Sequence, residues 1–233
     1  MSAIINLKTH TLIDSFIKKY GSDQITFIGS SEVSLSMLVN NIKSPYGYAI
    51  STTLYYNTLR TLNRMSNGAP MVRNHIPRDN SAGEFRYFPD AMDAENDRLI
   101  FKLQQPYQSG SSYAAYTLNN QYSVAVPIKT FTGVGTTDGF AKASRNIFPP
   151  RGFNFDTLSG EMYFYKNDAS DGALFCYSII ETQKNAQGKW VVIGQHSYYS
   201  NGRFFSSSSG SSFNYNPYVR IGKEFSVVAG GNH

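Results

Sequence analysis

The chain has 233 residues, of which 41% are hydrophobic, 15% aromatic and only 16% charged, with a net charge of +5. That length buries a core without metal or disulfide staples, and the single cysteine, Cys176, excludes an intramolecular disulfide. The 21 basic residues suggest an anionic partner by number, yet they are scattered rather than run together, which argues against direct nucleic-acid contact.

The start of the chain carries no basic region leading into an apolar stretch, and no window reaches the apolar length of a membrane span. Asn-x-Ser/Thr acceptors are absent, so synthesis in a bacterial cytoplasm is expected, with no membrane partner.

Taken in order, the first third reads helical. Leu12, Ile13, Phe16, Ile17 and Tyr20 share one face of a 3.6-residue period, Thr11 can cap, Lys18 and Lys19 oppose the terminal dipole, and Gly21 stops the turn. Residues 31–39 fit a short helix or a strand, since Val33, Leu35 and Met37 also alternate. Leu54, Tyr55, Leu59, Leu62 and Met65 predict another helix, ended by Asn67-Gly68. From 69 to 97 the chain mixes Pro70, Pro77 and Pro89 with Arg73, Arg78, Arg86 and acidic residues, and predicts an extended, charge-paired excursion.

From Arg98 onward strand signals dominate: 99–103, 122–131, 161–166, 174–182, 189–199, 203–206 and 219–228. Gln187-Gly188 and Asn201-Gly202 read as hairpin turns. The fold class expected is mainly β (α+β), an antiparallel β-sandwich or barrel with N-terminal helices packed beside it. Its parts are a helical segment over 1–68, the excursion over 69–97 and a β-rich unit over 98–233, or one domain overall. Two Ser/Gly tracts interrupt this region, 109–112 and 206–212, the second framed by Phe204, Phe205, Phe213, Tyr215 and Tyr218.

Sites of chemistry are sparse. His10, His75, His196 and His233 are far apart, and one thiol builds no thiolate site. Asp93, Glu95 and Asp97 alternate as calcium loops do, but Arg98 stands where the turn glycine belongs and Gln104 where the bidentate acid belongs. Pairing of this acidic stretch with Arg73, Arg78 or Arg86 is expected instead, and no cofactor or metal is assigned. The Thr132–Gly139 stretch lacks the ending of a phosphate-binding loop and predicts a loop leading into a short helix around 138–145. No nucleophile elbow occurs. Glu161, Glu181, Asp156 and Asp171 leave a two-carboxylate glycosidase formally open, although strand-borne acids among aromatics are more often paired or solvated. Cys176, inside an apolar run, is expected to be a buried inert thiol.

Aromatic faces stack on sugars, so Trp190, Tyr198, Tyr199, Phe204, Phe205, Tyr215 and Tyr218 could form a glycan platform. A core role for Trp190 is the competing reading. A chain of low charge, rich in Tyr, Asn, Ser and Gly and poor in reactive groups makes contacts rather than reactions. In this character, along its whole length though through no motif, it resembles the smaller capsid, neck and tail proteins of bacteriophage virions. The resemblance implies a non-enzymatic subunit, located in the virion, whose partners are copies of itself and neighbouring virion proteins. The contact elements expected are Arg73, Arg78 and Arg86 as forks for carboxylates, and Phe204, Phe205, Phe213, Tyr215 and Tyr218 as aromatic anchors. A carbohydrate- or receptor-binding β-sandwich module and a nucleic-acid-associated protein are the alternatives.

Overall fold

A computed structural model describes residues 24–31, 41–42, 48–64, 67–73, 83–106, 113, 115–117, 121–167 and 172–203, with 24–31, 48–50, 56 and 200–203 as backbone only. The described chain is predominantly antiparallel β. Its strands are β1 (Gln24–Ser31), β2 (Tyr48–Tyr55), β3 (Met71–Val72), β4 (Gly83–Tyr87), β5 (Ala91–Met92), β6 (Arg98–Leu103), β7 (Thr130–Phe131), β8 (Asp138–Gly139), β9 (Asn154–Phe155), β10 (Met162–Lys166), β11 (Gly172–Lys184) and β12 (Trp190–Arg203). One helix, α1 (Tyr56–Thr61), follows β2 directly.

Five strands form the main sheet in the order β1-β2-β12-β11-β6, and β4-β10-β9 form a second sheet. The pairs β3-β5 and β7-β8 are short ribbons. No closed barrel forms among the described residues. None of their helices is long and apolar enough to cross a membrane.

The centre is the β11–β12 hairpin. Its turn is the expected Gln187-Gly188, where Gly188 takes φ 75° and its N–H donates to the Asn185 carbonyl at 2.8 Å. Strand β11 is buried from Gly172 to Ile179, which its unbroken apolar run requires. One face of it, Ala173, Phe175, Tyr177 and Ile179, enters the core. There Phe175 stacks on Phe153 at 5.5 Å and meets Phe164 of β10 at 6.4 Å, while Phe164 stacks on Phe85 of β4 at 4.5 Å, so ring contacts join the second sheet to the first. On the other face, Cys176 is buried, and burial pushes its thiol up to about 12.

Several expectations need correction. Leu54 and Tyr55 lie in β2, paired with Ile25 and Gln24, and helix begins only at Tyr56. Thr52, Thr53 and Ile50 are β-branched, and the pairing that β1 and β12 offer on either side outweighs a helical spacing built from few residues. The N-terminal third therefore supplies two strands and one short helix among its described residues, and the helix expected over 11–21 lies outside them. Asn201-Gly202 is no turn: it pairs with Leu174 and Ala173 as β12 runs on to Arg203. Within 122–131 only Thr130–Phe131 is strand, and the helix expected around 138–145 is replaced by β8 and a bridge from Ser144 to Arg151. Residues 69–97 hold β3, β4 and β5, with β4 fully paired to β10.

Candidate functional site

Two places on this frame carry unusual chemistry. The first lies where β3, β5 and the turn after it cover one end of the β11–β12 core face. Glu181 and His196 project on that face, in the same register stripe as Tyr177 and Tyr198, which stack at 5.7 Å. The Tyr198 hydroxyl donates to the Pro70 carbonyl, fastening the covering segment to the sheet.

Opposite Glu181 stands Gly194, beside a register shift between Glu181 and Thr182. A Cβ at Gly194 would collide with Glu181 Oε2, so the glycine makes the space that the carboxyl occupies. Oε2 accepts from His196 Nε2 at 2.8 Å and from Asn67 Nδ2. Burial pushes the imidazole down to about 4, leaving it a neutral donor near pH 7, and its Nδ1 is buried without a partner.

Asp93 meets Glu181 from the turn between β5 and β6. Its Oδ1 accepts the N–H of Glu95 at 2.9 Å and of Asp97 at 2.8 Å, and Asn96 at φ 61° reverses the chain between them. One oxygen each of Asp93, Glu95 and Asp97 lies within 4.8 Å of the others. Glu181 Oε1 and Asp93 Oδ2 are both buried with no donor. Burial first, then the adjoining Asp93 carboxyl, pushes Glu181 up to about 9.

The positive charge here is Arg64, whose Nη1 donates to Asp97 Oδ2 at 2.6 Å and to Gln183 Oε1 at 3.3 Å, while Nη2 reaches Asn67. Two bare carboxylates ~4 Å apart repel by about 4 kcal/mol at an effective dielectric of ~20. Asp93 and Glu181 therefore need a proton or a cation between them. Asp93 and Asp97 also line a groove of about 740 Å³, whose apolar lining includes Phe88, Met92, Leu99 and Leu158.

The second place is the loop pair beyond β7 and β8. The ribbon is pinned from below: buried Lys166 of β10 reaches Asp138 Oδ2 at 3.1 Å and the Lys129 carbonyl at 3.0 Å. At its tip Val134 is 82% exposed, as is Phe148 of the following loop, and Ile147 is 43% exposed. The two loops touch, because a Cβ at Gly133 would lie 3.7 Å from Ile147 Cδ1 and 3.2 Å from Arg151 Cδ. Val134, Ile147 and the adjoining Phe148 are thus exposed apolar side chains on two loops that meet at Gly133, a grouping that scattered single exposures would lack.

The residues singled out from sequence are dispersed. Arg73 binds Asp90 at 2.8 Å, and Arg86 binds Glu161 at 2.8 Å while lying over the Tyr163 ring, so both guanidinium groups have partners within the chain. Arg78, Phe204, Phe205, Phe213, Tyr215 and Tyr218 lie outside the described residues. Of the glycan platform, Tyr198 is in the core, and Trp190, 43% exposed, has Arg98 and Lys184 over its ring. Glu161 is held by Arg86 and Arg145.

Asp156 caps its own turn, its pKa lowered by the Ser159 and Leu158 N–H groups. The exposed apolar group and the Glu181 cluster were not anticipated. Gly194 facing a strand-borne glutamate was the one signal for the latter, readable only with the hairpin register in hand.

No family model, curated protein or solved structure matches this chain.

Proposed function

We propose that the protein is a non-enzymatic structural subunit of a virion, acting by repeated self-association and by docking to neighbouring subunits. The observation that carries the reading is exposed Val134 on a ribbon whose base is a buried ion pair, together with exposed Ile147 and Phe148 on the loop that meets the ribbon at Gly133. Exposing such a patch on a stiff support costs solubility, and a partner that covers it recovers the hydrophobic term.

The edges of the main sheet support the same reading. Strand β6 carries Arg98 and Lys102, charges that discourage further pairing. Strand β1, at the other edge, spans eight residues with no charge and no proline, and no described strand pairs its outer side. An edge without gatekeepers accepts a strand from a neighbour. The low charge and the Tyr, Asn and Ser content fit a surface that is covered in an assembly.

The test is a double substitution, Val134→Asp with Phe148→Asp, followed by sedimentation velocity over a concentration series. Both side chains are exposed, so the fold should tolerate the change, which circular dichroism checks. Smaller species than the parent chain forms at the same concentration are expected. An unchanged distribution would remove these side chains from the account.

A further inference from the structure

The loop 93–97 has the alternating acids of a calcium loop but lacks, along its own sequence, the last acid such a loop supplies. The fold provides that acid from elsewhere. Glu181 of β11 is fully buried, its Oε1 has no donor, and its carboxyl adjoins Asp93, whose Oδ2 also has none. Asp93 commits Oδ1 to the N–H groups of Glu95 and Asp97, which fixes the loop and leaves Oδ2 directed elsewhere.

We infer that Asp93, Glu95, Asp97 and Glu181 form a binding site for a hard divalent cation of the calcium class. The ligands are all carboxylate oxygens, and the three from the loop lie within 4.8 Å of one another, a spread that calcium, with six to eight oxygens at about 2.3–2.6 Å, accommodates. Charge argues the same way. Four carboxylates face one guanidinium, that of Arg64, which engages only Asp97 among them. Glu95 Oε1 accepts the Gly68 N–H at 3.1 Å, so a cation here would tie the segment preceding β3 to the turn and to β11. His196 and Asn67 hold Glu181 through Oε2 and leave Oε1 without a donor, beside the Asp93 carboxyl.

The test uses the full chain, freed of metal with EDTA, in calorimetric titrations with CaCl2 and MgCl2 alone at pH 7. One calcium per chain is expected, with a dissociation constant of roughly 10⁻⁶–10⁻³ M and weaker binding of magnesium. Exposed Glu95 can be changed without threatening the fold, and Glu95→Gln should weaken binding about tenfold or more. Glu181→Gln should abolish the calcium-dependent rise in melting temperature while the chain remains folded in EDTA. Two results overturn the inference: no heat and equal melting temperatures in CaCl2 and EDTA, which assigns the gap between Asp93 and Glu181 to a proton alone, or calcium binding that both substitutions leave unchanged.

Discussion

Two buried glutamates on this frame have opposite surroundings. Glu161 receives Arg86 on Oε1 at 2.8 Å and Arg145 on Oε2 at 3.0 Å, so each oxygen has a cation. Glu181, more deeply buried, receives a neutral imidazole and an amide on Oε2, and its Oε1 has no donor. Around Glu161, and at the Lys166–Asp138 pair under the β7-β8 ribbon, each buried carboxylate has a cation, and the apolar side chains of Val134, Ile147 and Phe148 are exposed. Around Glu181 the unsatisfied chemistry faces inward and is anionic. The first arrangement asks for a protein surface, and the second asks for a small cation or a proton.

Removing partners should separate the two glutamates. Arg86→Ala with Arg145→Ala strands Glu161 without a cation and should destabilise the fold by about 3 kcal/mol in urea unfolding. Gly194→Ala pushes a methyl group against Glu181 Oε2 and should cost about 2 kcal/mol. Adding Glu181→Ala to Gly194→Ala should recover part of that loss, and a double-mutant cycle with no coupling would show that the clash is relieved elsewhere.

Glu181→Gln in EDTA at pH 7 is expected within about 1 kcal/mol of the parent, because the carboxyl, pushed up to about 9, is protonated without a cation, and the amide likewise offers an acceptor and a donor. A large loss there would mean that the ionised form is stabilised by something besides a bound cation. The opposite face of β11 gives the smallest effect. Cys176 is raised from 9.0 to about 12 by burial, so its contribution is full below about pH 9 and declines as pH rises towards 12. Iodoacetamide at pH 8 should label it in urea and leave it untouched in the folded chain.

What the sequence disclosed follows from how local each feature is. Strands β6, β10, β11 and β12 announce themselves through β-branched and aromatic runs, and the Gln187-Gly188 turn through its glycine. Asn201-Gly202 misleads because turn propensity is a local preference, and β11 offers Leu174 and Ala173 as ladder partners that override it. Leu54 and Tyr55 mislead in the same way, their helical spacing to Leu59 being shorter than the strand pairing they join. Tyr122, Val124, Val126 and Ile128 alternate as a strand would, yet Pro127 lacks the N–H a ladder needs, and only Thr130–Phe131 pairs.

The candidate cation site was half legible. Asp93, Glu95 and Asp97 show their spacing in the chain, whereas Glu181 joins them through a register shift in a hairpin and a glycine across from it. The exposed apolar group was hidden because Val134 and Ile147 belong to different loops, which meet at Gly133.

The claim that this is an assembling subunit is tested most directly by the light-scattering mass of the unmodified chain, eluted from a sizing column at rising concentration. Masses that are multiples of 26.0 kDa and grow with concentration are expected. A mass of one chain at every concentration would contradict it.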